Sequence, residues 1–154
     1  MSDHVVRAIG HVSSGRAGRS DDDWGAVESV IRLDGDRFGP DSLTGLDGLS
    51  QVEVIFLFDR LDEADVTVGA RHPRGNDAWP RVGIFAQRAS SRPNRLGSTT
   101  CEVLGVDGLE LRVRGLDAID GTPVLDIKPH MREFQPRTEV IQPPWVSELM
   151  AGYW

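Results

Sequence analysis

A chain of 154 residues has the length of one domain and can bury roughly two thirds of its unfolded surface, while a formal net charge of -7 excludes a protein held to nucleic acid by overall charge alone. Its 39% hydrophobic and 27% charged content excludes wholesale disorder, and the 17 glycines and 9 prolines point to short elements separated by turns. No basic leader precedes an apolar core, no apolar run reaches the roughly 18 residues of a membrane span, and the single Cys101 can form no internal disulfide, so a cytoplasmic protein without membrane contact is expected.

The first strand is expected over Val5 to Ile9, ended by Gly10. After the polar "SDDDWG" loop, "AVESVIRL" (26–33) reads as a second strand, and one helical turn is expected to start near Asp41 or Ser42. "QVEVIFLF" (51–58) is the clearest buried strand. "DVTVGARH" (65–72) alternates Val66, Val68 and Ala70 as a strand with one buried face would, and "RVGIFAQR" (81–88) reads as another short strand. In "CEVLGVDGLELRVRG", Leu109, Leu111 and Val113 alternate with Glu110, Arg112 and Arg114 after Asp107-Gly108, the chemistry of a two-residue hairpin turn. Cys101 lies in this run and is expected to be a buried small apolar residue. "TPVLDIKP" (122–129) adds a strand stopped by Pro129, and Trp145, Val146, Leu149, Met150 and Tyr153 follow Pro143-Pro144 at helical spacing. Close-spaced short strands make the chain mainly β, a sandwich or a barrel. The aromatic side chains Trp145, Tyr153 and Trp154 read as packing surface.

Charge is segregated along the chain. The acids concentrate in "SDDDWG", "LDGD" and "FDRLDEAD", whereas the stretch from Arg71 to Gly97 is rich in arginine and holds one aspartate, Asp77. There is no dinucleotide or phosphate loop, no H-E-x-x-H and no paired C-x-x-C, and His4, His11, His72 and His130 are scattered, so no metal site is expected. Two polar segments remain. In "QRASSRPNRLG", Pro93 fixes its own φ and pushes Arg92 to extended backbone, giving a rigid turn with cationic forks. By itself this turn fits an ordinary loop whose arginines pair with acids elsewhere. In "LDAIDGTPVLDIKPH", Asp126 and Lys128 inside an apolar strand are costly unless paired or used on a ligand. Asp117 and Asp120 flank the Gly121 turn. The two segments together favour a ligand site.

These residues resemble the TrmO-like, also called TsaA-like or UPF0066-type, S-adenosylmethionine-dependent methyltransferases. That family carries G-V-F-A-T-R-S-P-x-R-P-N-P-I-G and, some twenty residues later, G-L-D-x-x-D-G-T-P-V-x-D-I-K-P-Y. Here they stand as "GIFAQRASSRPNRLG" (83–97) and "GLDAIDGTPVLDIKPH" (115–130). The resemblance reaches "IGHVSSG" and "LTGLDGLSQVEVIFLFD", covering about residues 8 to 137. It implies a single-domain, non-Rossmann β-barrel over 1–137, with 138–154 as a tail forming a short helix on the body or on a partner subunit. It also implies a homodimer.

By resemblance, the cofactor S-adenosyl-L-methionine is expected at Asp22, Asp23, Trp24, Asp59, Arg60, Arg88, Asp120, Gly121, Thr122 and Pro123. The substrate is expected at Arg92, Asn94, Arg95 and Lys128. Arginine forks suit the cofactor's carboxylate, and carboxylates suit its ribose hydroxyls and ammonium. The implied reaction is N6-methylation of threonylcarbamoyladenosine beside the tRNA anticodon, with Arg71, Arg74, Arg81, Arg92 and Arg95 available to phosphates. Departures stand at Gln51, Asp59, Arg95 and His130. The "DDW" loop replaces a cationic or neutral one, which should weaken attraction to RNA. A same-fold methyltransferase for a small metabolite, or a noncatalytic adenosylmethionine-binding domain, are the alternatives.

Overall fold

The computed structural model describes residues 1–154. Eight strands follow one another: β1 (Gly10–Ser14), β2 (Glu28–Leu33), β3 (Gln51–Leu57), β4 (Ala70–Arg71), β5 (Val82–Gly83), β6 (Leu96–Asp107), β7 (Glu110–Arg114) and β8 (Pro123–Pro129). One α-helix, α1 (Pro144–Leu149), comes last. Six strands close into a barrel in the order β1-β2-β7-β6-β3-β8, and β4 pairs only with β5. Every ladder in the wall is antiparallel, so strand direction alternates around the barrel. One rim therefore collects the ends of β1, β3 and β7 and the starts of β2, β6 and β8.

The interior follows from two-residue alternation. Val52, Val54 and Phe56 of β3 point inward and face Cys101, Thr99 and Gly97 of β6. Val12, Ile31, Leu111, Val113 and Val124 fill the rest, and Leu116 and Ala118, between β7 and β8, enter the same cluster. Gly97 has a steric reason: a Cβ there would lie 2.4 Å from the Phe56 ring. Register shifts at Ile55/Phe56 and Val103/Gly105 mark bulges, which add the bend a small closed sheet needs. Cys101 is 2% exposed, a core residue as its strand-like setting implied.

Several expected elements move. Val5 and Val6 are exposed, and the first strand starts at Gly10, the residue expected to end it. Ile9 does join the barrel: its amide donates to Val124 O at 2.7 Å, its carbonyl accepts from Asp34 N at 2.9 Å, and its side chain packs against the core. Of 65–72 just Ala70–Arg71 is strand, and of 81–88 just Val82–Gly83, followed by a 3-10 turn over Ile84–Ala86. Both stretches have strand-like composition, yet each finds only the other as partner, and Val68 is exposed. The helical turn falls at Leu46–Gly48 rather than near Asp41, where simple turns form. The hairpin forms one residue later than expected: Asp107 pairs with Glu110, so the loop is Gly108-Leu109, with φ +56° at Gly108.

Candidate functional site

Alternating strand direction brings distant sequence segments to one rim. The chain after β1 folds back through Arg16, whose guanidinium donates to Asp22 O (2.6 Å) and Asp23 O (3.0 Å) and lies 3.7 Å over the Trp24 ring. The turn before β8 is tied to the same place: Ser14 N donates to Asp120 Oδ1 (3.0 Å) and Asp120 N to Arg16 O (2.9 Å). From the end of β3, Arg60 Nη2 donates to Asp120 O at 2.9 Å. Gly121 adopts φ +83°, and its missing Cβ leaves the Arg60 guanidinium 3.4 Å from that position. Asp22, Asp23, Trp24, Arg60, Asp120 and Gly121 thus form one connected group.

The other expected site residues differ in placement. Arg88 reaches the same rim, donating to Ser98 O near the start of β6. Asp59 is exposed and its carboxylate has no side-chain partner, as is true of the Asp23 carboxylate. Thr122 is buried with its hydroxyl donating to Ile119 O (2.8 Å), and Pro123 pairs with His11 in the wall. Arg92 donates to Gln87 O (2.8 Å) and Arg95, at φ +52°, to Leu61 O (2.7 Å), while Asn94 is an exposed turn residue. The arginines of this turn hold carbonyls and make no ion pair, unlike the salt-bridged loop that the turn fits when taken by itself. Lys128 is not brought to the group. It lies near the end of β8, towards the opposite rim, in an ion pair with Asp126 at 3.2 Å. Both are about half exposed, so the supposed cost of charges in that strand disappears. Asp22 is paired with Arg74 at 2.9 Å, so the "DDW" loop presents less free negative charge than its sequence implied.

Two residues that the sequence reading names but assigns to neither cofactor nor substrate meet at the same rim. Asp117 accepts from Thr99 Oγ1 on one oxygen and from the Tyr153 hydroxyl on the other. Burial, then the Asp117 charge, pushes the Cys101 thiol up to about 12. The Tyr153 phenol is raised by the same two causes in the same order, against a lowering by Arg88 and Arg74, so it stays protonated at neutral pH. From the sequence Asp117 reads only as flanking the Gly121 turn. Tyr153 resembled packing. The arrangement leaves two free carboxylates and the remaining guanidinium donors of Arg60 and Arg88 at one rim, a donor set that fits a ligand carrying a carboxylate, an ammonium and hydroxyl groups.

A barrel with this motif-bearing rim defines a small non-Rossmann ligand-binding domain. The profile of the tRNA-methyltransferase O N-terminal domain family matches residues 19–135, and the chain belongs to that family. It is 38% identical over 132 residues to a probable S-adenosyl-L-methionine-binding protein of Methanothermobacter thermautotrophicus, covering 83% of this chain and 90% of that one. A tRNA (adenine(37)-N6)-methyltransferase of Homo sapiens is 36% identical over 102 residues, 66% of this chain but 23% of the relative. A crystal structure of TrmO from Pseudomonas aeruginosa superposes with a TM-score of 0.75 at 25% identity, over 94% of this chain and 62% of the other. The chain therefore spans less than a quarter of the human relative's length.

Proposed function

We propose that this chain binds S-adenosyl-L-methionine at the rim formed by Asp23, Asp59, Arg60, Arg88 and the Asp120–Pro123 turn, and acts as a methyltransferase on the N6 of threonylcarbamoyladenosine in tRNA. When bound, the cofactor supplies an electrophilic methyl group on a sulfonium. The chain's contribution is then positioning and electrostatics. Arg88 and Arg60 suit a carboxylate, the free carboxylates of Asp23 and Asp59 suit an ammonium and ribose hydroxyls, and Gly121 gives close backbone approach.

The observation that carries the reading is the uncompensated positive turn: Arg88, Arg92 and Arg95 each hold a carbonyl and pair with no acid, in a protein of net charge -7. Such forks favour the tRNA phosphate chain. The Asp22–Arg74 pair reduces the repulsion that favoured a small-molecule acceptor. Incubation with methyl-labelled cofactor and tRNA bearing threonylcarbamoyladenosine should give a labelled nucleoside after digestion. Cofactor binding without label in RNA would overturn the acceptor, and no cofactor binding would overturn the whole reading.

The proposal includes a homodimer in a cytoplasmic setting. Its support is the segment 131–144, in which every residue is exposed, including Phe134 at 79% and Ile141 at 86%. Sedimentation at micromolar concentration that returns only a 16.9 kDa species would overturn this part. No helix of the chain is long and apolar enough to cross a membrane.

A further inference from the structure

The loop expected to touch the cofactor is already engaged by the end of the chain. Asp23 N donates to Gly152 O (3.0 Å) and Trp24 N to Tyr153 O (2.8 Å). The carbonyls of Asp22 and Asp23 are taken by Arg16, the Trp24 indole donates to Ser20 O (3.2 Å), and the Asp22 carboxylate is paired with Arg74. Of the polar side chains and paired backbone groups in Asp22–Trp24, only the Asp23 carboxylate is left for a ligand. Trp24 is 4% exposed, and a Cβ on Gly25 would lie 2.7 Å from the Trp154 carbonyl carbon, so the dock is closely packed. Its outcome is to place the Tyr153 hydroxyl on Asp117, with the charges of Arg88 and Arg74 near it.

We propose that Gly152–Trp154 is a strap that docks on Asp22–Trp24 and supplies Tyr153, held by Asp117, as a positioning residue of the cofactor cleft, so that strap docking and cofactor binding favour one another. This rests on the cofactor reading above. The favourable sign follows from what displacement would leave behind. Two backbone N–H groups and a partly buried carboxylate would each lose a partner, whereas a docked strap forms a satisfied wall beside Arg88. Rigidity added by the cofactor on one side then lowers the ordering cost of the strap on the other.

The test uses the full chain and its Tyr153→Phe variant, with S-adenosyl-L-methionine as the probe, read by calorimetry and by amide hydrogen exchange. In the parent chain the cofactor should slow exchange of the Asp23 and Trp24 amides. In Tyr153→Phe those two amides should exchange faster, cofactor affinity should fall about tenfold, and the Val52 and Val54 amides should be unchanged, showing an intact barrel. A variant that binds as tightly as the parent, or more tightly as a competing strap would require, overturns the proposal and leaves the cofactor reading standing. A parent chain that binds no cofactor removes both. Faster exchange at Val52 and Val54 would assign Tyr153 to general stability and overturn its positioning role.

Discussion

The barrel wall and its functional rim treat arginine in opposite ways. On the wall, Arg32 pairs with Glu110 at 2.9 Å and Arg114 stands between Glu28 and Glu102, both at 2.9 Å. These are cross-strand neighbours: Arg32 faces Glu110, and Arg114 faces Glu28 and Glu102 in register. At the rim, Arg60, Arg88, Arg92 and Arg95 donate to carbonyls and meet no carboxylate. A sheet puts opposite charges side by side because its register repeats, but loops converge without such a rule. Net charge therefore says little about local pairing: in a protein of net charge -7 these four rim arginines still meet no acid, while the wall arginines Arg32 and Arg114 do.

Arg88→Ala tests the contrast most strongly. It should weaken cofactor binding about tenfold to a hundredfold, the loss expected for a charge-assisted hydrogen bond, with melting temperature nearly unchanged. Arg114→Ala should leave both cofactor binding and melting temperature nearly unchanged, since exposed pairs contribute little and are screened by salt. Equal binding by both variants would break the contrast. A smaller effect is expected from Arg92→Ala with Arg95→Ala: the slope of log affinity for tRNA against log salt should flatten by about 0.7–0.9 per lost phosphate contact. The wall pair Arg32→Ala with Arg112→Ala should leave that slope alone, and a matching change would show that RNA follows the wall.

The smallest effect is alkaline. Cys101 and Tyr153 are both neutral acids whose folded values are raised, so the unfolded chain loses its protons first and stability falls as pH rises. The contribution of Cys101 should be complete below about 8.5, its unfolded value, and decline towards the folded value of about 12. That of Tyr153 should be complete below about 10 and decline above it. Denaturant titrations from neutral to alkaline pH should show Cys101→Ala removing the earlier decline and Tyr153→Phe the later one. Curves parallel to the parent's would show that neither group is coupled to folding.

Where side chains alternated against a real partner, the sequence could be read directly, as with Val52, Val54 and Phe56 or Leu111 and Val113. It misled where composition resembled a strand but the topology offered no neighbour, as at Val66 and Val68. The motif turns identified the rim because part of their chemistry is local: Gly121 needs a positive φ, and the Thr122 hydroxyl donates to Ile119 O three residues back. Asp117 and Tyr153 were not legible in that way. Their meeting depends on residues 36 positions apart returning to the same rim, and neither has a local signature of it. Arg74 and Asp22 are a still longer instance, 52 residues apart.

β8 leaves the wall at the rim opposite the one where Tyr153 docks, so residues 130–143 are a tether as well as an exposed surface. β8 itself, seven residues long, covers about 23 Å between the two rims. A fully extended 130–143 could reach about 46–50 Å. The tether has slack, and slack sets the effective concentration at which the chain's own end is offered to the rim. Two or three residues could be removed without pulling Tyr153 away. A long insertion would dilute the strap while leaving each contact at the rim chemically intact.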